Sequence, residues 1–161
     1  MFCKEIIWYN VYYHMEVFML TYPQDTTINA LDDLGLNATT SNEVIALLEH
    51  GLPFSAFKHL QAALESNEEI LAHAIQVPTA TLARRKKTGK FTLEESDRLL
   101  RVGRLVSKAN DLFSAPSAAA TWFSRPARGL AGKTPLEYAR TEVGAREVEA
   151  LLERLIDGQA L

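Results

Sequence analysis

NEEILAHAIQVPTATLARRKKTG (residues 67–89) is the stretch that says most about how this chain folds. Leu71, Ala72, Ile75 and Val77 supply the apolar side of one short helix and its turn. Pro78 and Thr79 then open a second helix, in which Leu82 faces inward. Ala72 is small where two helices crossing near a right angle must touch. This is the pattern of a helix-turn-helix, whose second helix enters the DNA major groove by its N-terminal end. The outward side of that second helix includes Thr79, Ala80, Thr81, Arg84, Arg85 and Lys87. Between Glu69 and Glu94 there are five bases (Arg84, Arg85, Lys86, Lys87 and Lys90) and no acid. Phosphate contacts are expected there, and Arg84 and Arg85 are suited either to guanine edges or to phosphates. Two points pull the other way. Gln76 stands where such a turn ordinarily has glycine, and basic runs on helices also serve as plain solvated faces.

Working outward, helix-start signatures recur. In a capping box a Ser or Thr hydroxyl takes the third helical amide, and a Glu three residues on reaches back to the cap amide. Thr40–Glu43, Ser66–Glu69, Thr92–Glu95 and Thr134–Glu137 fit, the last with Pro135 at the favoured first helical position. Pro53 predicts a further helix with Phe54, Phe57, Leu60 and Leu64 on one face. Leu99, Val102, Val106, Ala109 and Phe113 keep helical spacing, as do Val148, Leu151, Leu152, Leu155 and Ile156. Gly158 predicts the end of the last helix. No alternating run of strand type follows residue 40. The expected fold is all-α, with the segment Thr21–Thr40 read as a linker.

The chain has 161 residues, 47% hydrophobic and 23% charged, with a net charge of −3, which excludes a bulk polycation and a disordered chain. The charge is uneven: residues 1–50 hold one base against seven acids, whereas residues 101–161 hold nine bases against seven acids. Met1–Tyr22 is rich in aromatics, but Lys4, Glu5, Asn10, His14 and Glu16 interrupt it, and a spanning helix needs about 20 mostly apolar residues. A strand or helix packed on the body or on a dimer mate is expected instead, or a start at Met15 or Met19. No membrane association is expected, and the single cysteine, Cys3, points to a reducing, cytoplasmic setting. His14, His50, His59 and His73 lack metal-ligand spacing, and RGLAGKT (128–134) departs from a phosphate loop. No catalytic residue, metal or cofactor is expected.

EESDRLLRVGRLVSKANDLF (94–113) and AAATWFSRPARGLAGKTPLEYARTEVGAREVEALLERLIDG (118–158) resemble the Xre/MbcA/ParS-type toxin-binding domain of bacterial antitoxins. GLPFSAFKHL (51–60) through TLARRKKTGKFTLEESDRL (81–99) resembles the Xre-like helix-turn-helix of the same proteins. The resemblance divides the chain into an N-terminal segment (1–40), a helix-turn-helix domain (41–100) and a helical toxin-binding domain (101–161). It implies an antitoxin that dimerises, binds a RES-domain, NAD-degrading toxin and represses its own operon on double-stranded operator DNA. It also implies that the C-terminal end, Gly158, Gln159, Ala160 and Leu161, covers the toxin's active site, with Arg154 and Asp157 available for polar contacts. Trp122, beside a Gly/Pro loop, suits an interface anchor, or a core position of a small helical domain. The competing function is a stand-alone helix-turn-helix repressor whose C-terminal domain only dimerises.

Overall fold

Three of the four hydroxyl–glutamate signatures close as capping boxes, at Thr40, Thr92 and Thr134. The fourth does not. Asn67 caps that helix through its own side chain, which accepts from the Ile70 amide at 2.8 Å, and Ser66 lies one residue too early. The computed structural model describes residues 26–156. The readings of Met1–Tyr22 and of 157–161 therefore lie outside the described residues.

Among the described residues nine α-helices follow one another: α1 (Thr26–Asp33), α2 (Ser41–His50), α3 (Phe54–Ala63), α4 (Glu68–Ala74), α5 (Thr79–Thr88), α6 (Leu93–Leu112), α7 (Pro116–Ser124), α8 (Pro135–Tyr138) and α9 (Glu142–Ile156). A single 3-10 turn, Arg128–Leu130, precedes α8. The all-α expectation holds among the described residues. The linker reading of Thr21–Thr40 does not: α1 lies inside it and packs along α6, with Ala30, Leu31 and Leu34 fully buried. Their spacing puts all three on one side of a helical turn, and burying each leucine contributes roughly 1.5–3 kcal/mol.

α6, 20 residues and about 30 Å long, is the axle. It packs against α1, α2, α3, α7 and α9, and one continuous apolar core runs from Ala30 to Leu152. The boundary expected between residues 100 and 101 falls inside this helix, so the two halves of the chain share it. Charge reinforces the α6–α9 seam. Lys108 bonds Glu149 at 3.1 Å and Glu153 at 2.6 Å, and Arg101 pairs with Glu142 at 2.9 Å. Burial alone would push the Lys108 ammonium down, but the hydrogen bonds to Glu153 and Glu149 outweigh it and hold the group above its ordinary range.

The only strand-like pairing among the described residues is an isolated antiparallel bridge, Pro53 to Lys90. The Phe54 amide donates to the Gly89 carbonyl at 2.8 Å, and the Phe91 amide to the Leu52 carbonyl at 2.9 Å. Phe54 stacks on Phe57 and on Phe91, which are tilted by 36° to each other, with ring centroids 5.5–5.9 Å apart. The bridge staples the C-terminal end of α5 to the start of α3.

Candidate nucleic-acid interface

Helices α4 and α5, with the turn between them, are pinned from inside by Leu71, Ala72, Ile75, Val77 and Leu82, each at most 4% exposed. The Val77 amide donates to the Ala72 carbonyl at 2.8 Å, closing the turn. Gln76 takes φ +55°, the left-handed conformation that a glycine would adopt, at a cost of roughly 1–2 kcal/mol. The departure from glycine therefore leaves the turn's shape intact. Two contacts hold the residue there: its side-chain amide donates to the Arg140 carbonyl, and its own carbonyl accepts from Arg98 at 3.3 Å.

The structure separates the basic residues that the sequence groups together. With Leu82 inward, the helical period turns Ala80, Arg84 and Lys87 to the opposite side, with Ala83 beside them, and all four are exposed. Among the described residues neither Arg84 nor Lys87 enters a salt bridge within the chain. Thr79, at the N-terminal end of α5, is exposed and Thr81 is half-buried. Arg85 points the other way. Its guanidinium grips Glu95 of α6 in a two-pronged pair, Nε to Oε2 at 2.6 Å and Nη2 to Oε1 at 3.0 Å, with the two side chains 16% and 11% exposed. Lys86 leans toward Glu68 at 3.7 Å, and the Lys90 ammonium donates to the His50 carbonyl at 3.3 Å. The side of α5 opposite Leu82 is thus a strip with two small residues and two cations that enter no salt bridge among the described residues. Such a strip lets a backbone approach closely while offering charge to phosphates or guanine edges.

Glu95 does double duty, since it also completes the Thr92 capping box. Burial alone would raise its carboxyl, but the Arg85 side chain and the Thr92 amide outweigh burial and hold it below the usual carboxylate range. A depressed carboxyl stabilises the fold above the unfolded-state pKa, and that contribution fades as pH falls through the folded-state value. Glu95→Gln is therefore expected to lower the unfolding free energy at pH 7 by about 3 kcal/mol, because it strands a largely buried arginine. The deficit against the unaltered chain should narrow in urea titrations carried down through pH 4 and below. Neither Arg85 nor Glu95 stands out as a pair in the sequence; the only hint was the capping-box position of Glu95.

The second group of candidate residues is dispersed. Trp122 on α7 is half-buried, edge-on to the buried Phe123 ring at 5.1 Å and tilted against Phe113 at 6.1 Å. Arg154 is exposed near the end of α9. Asp157, Gly158, Gln159, Ala160 and Leu161 lie outside the described residues. None of the described helices is long and apolar enough to cross a membrane.

A family model for the antitoxin Xre-like helix-turn-helix domain matches residues 43–104. A second, for the antitoxin Xre/MbcA/ParS C-terminal toxin-binding domain, matches residues 108–158. An Antitoxin Xre from Yersinia enterocolitica is 34% identical over 130 residues, covering 78% of this chain and 86% of that protein. This chain belongs to the Xre antitoxin family. An Antitoxin Xre from Photorhabdus laumondii is 32% identical over 127 residues, with the same coverage of 78% and 86%. A protein from Sphingobium named Prs ADP-ribosylating antitoxin is 25% identical over 124 residues, covering 71% of this chain and 78% of that one. Xre antitoxins are a binding and regulatory family. In this member the two matched modules meet on α6: the helix-turn-helix match runs into it to residue 104, and the toxin-binding match begins on it at residue 108.

Proposed function

We propose that this chain neutralises a RES-domain, NAD-degrading toxin by covering its active site, and that as a homodimer in the cytoplasm it represses its own operon. The observation that carries this reading is the presence of both family modules, in order, on one chain and around one helix. The outward strip of α5, with Arg84 and Lys87 exposed and in no salt bridge among the described residues, supports contact with double-stranded operator DNA. Thr79, Thr81 and Lys90 flank that strip and suit backbone contacts. Lys86 and Arg85 are engaged within the chain and contribute orientation and local positive potential.

For the toxin, the proposed contacts are Trp122, Arg154 and the terminal stretch Asp157–Leu161. Co-expression with a RES-domain protein, sought first in the gene beside this one, tests the reading. Growth and cellular NAD should both be preserved, and the two proteins should co-purify. Deleting Gln159–Leu161 should return growth arrest and NAD loss. Neutralisation that survives the deletion would remove the tail from the mechanism. Operator binding without any toxin complex would leave a stand-alone repressor.

A further inference from the structure

α4, α7 and α8 enclose an open trough of about 610 Å³ on the described surface. Leu64, Ala74, Phe123 and Leu136 furnish an apolar floor and walls, and Ile70, half-exposed, extends them onto the rim. Carboxylates stand along the same rim, Glu65, Glu69 and Glu137, with His73 among them and no lysine or arginine in the lining. Glu137 is held ionised by the Thr134 amide and hydroxyl, so the charge is present at neutral pH. Glu65 sits at φ +47° on the bend between α3 and α4. Beside it the Ser66 hydroxyl is buried without a hydrogen-bond partner among the described residues.

An apolar trough of this kind normally takes a side chain or helix face from something else. Its rim selects by charge. DNA phosphates would be repelled. The stretches of this chain outside the described residues are also a poor match, because residues 1–25 carry Lys4 against Glu5, Glu16 and Asp25, and residues 157–161 carry Asp157 and no base.

We propose that this trough is a second docking surface for the toxin, receiving a segment of its polypeptide that presents a bulky apolar side chain flanked by lysine or arginine. The inference rests on the toxin-binding reading above and adds a site built from residues other than the C-terminal ones. Apolar burial supplies the affinity, and the carboxylate rim orients the segment and rejects acidic competitors.

Ile70→Asp and the double reversal Glu65→Lys/Glu69→Lys test the site at residues whose side chains are exposed. Toxin affinity is measured by calorimetry for the full chain and for the form lacking Gln159–Leu161. Each variant is expected to weaken binding at least tenfold in both backgrounds, with the melting profile unchanged. The reversal should also flatten the salt dependence of binding. Unchanged affinity in both variants, with the unaltered chain binding normally, overturns the second surface and leaves the tail mechanism standing. An unaltered chain that binds no toxin overturns the functional reading, and this site with it. Should the variants instead dissociate a homodimer of the chain alone, the trough is a self-association seat and the proposal fails.

Discussion

Gly144→Ala is expected to lower the unfolding free energy by about 3 kcal/mol, among the larger effects available from adding one methyl group. Gly144 lies in the first turn of α9, packed against the end of α8. A Cβ there would stand 1.9 Å from the Tyr138 carbonyl oxygen and 2.9 Å from its carbon. Those are backbone atoms within a chain run pinned by the buried Leu136 and Ala139, so they cannot swing aside as a side-chain tip would. The Gly144 amide also donates to the Thr141 hydroxyl at 3.1 Å, and displacing the turn would break that bond. α9 would then lose its seat on α6 together with the Lys108–Glu149–Glu153 cluster. Urea denaturation should show the loss directly. Gly132→Ala serves as the control: nothing lies within 4 Å of its Cβ position, so only its left-handed φ of +75° is penalised, by roughly 1–2 kcal/mol. Equal stabilities for the two variants would mean that the approach of α9 to Tyr138 is not as tight as described.

The largest functional effect is expected from Arg84→Ala/Lys87→Ala. Both side chains stand on the solvent face of α5 and enter no salt bridge among the described residues, so their removal should leave the fold nearly untouched. Operator affinity at low salt should fall by about 10- to 100-fold. The slope of log affinity against log salt should become shallower by about two, one for each lost phosphate contact. If Arg84 instead reads a guanine edge, its share of the loss appears as relaxed discrimination between operator variants, and the slope changes by about one. Fluorescence anisotropy on the DNA upstream of the gene, titrated with salt, measures both quantities. An unchanged slope would remove α5 from the DNA interface. Arg85→Ala should behave differently: a loss of stability from stranding Glu95, with weaker DNA binding only as a consequence of a loosened α5.

That contrast marks where sequence reading stops. Arg84 and Arg85 are adjacent and chemically identical, and a basic run offers no way to tell them apart. The 100° step between neighbours sends one guanidinium to solvent and the other across to α6, and the partner that receives it lies ten residues on. α1 was missed for a similar reason. Ala30, Leu31 and Leu34 have helical spacing, but the surrounding Asp, Asn, Thr, Pro and Gly residues read as loop. The buried face has meaning only once α6 is there to receive it. The Ser66 signature failed on a local competition, since Asn67 is an equally good cap placed one residue closer to the helix.

Short-range chemistry written along the chain was enough for the all-α class, three of the four capped starts, the helix-turn-helix and the family. Caps, turns and apolar periodicity act over three or four residues, and a family pattern is itself an ordered string of such residues. Three features depend on groups far apart in the chain or on opposite sides of a helix. They are the inward turn of Arg85 to Glu95, the tether from Gln76 to Arg140 across 64 residues, and the acid-rimmed trough between α4, α7 and α8. No local preference encodes such contacts. They exist because burying one core around α6 brings those groups within reach of each other.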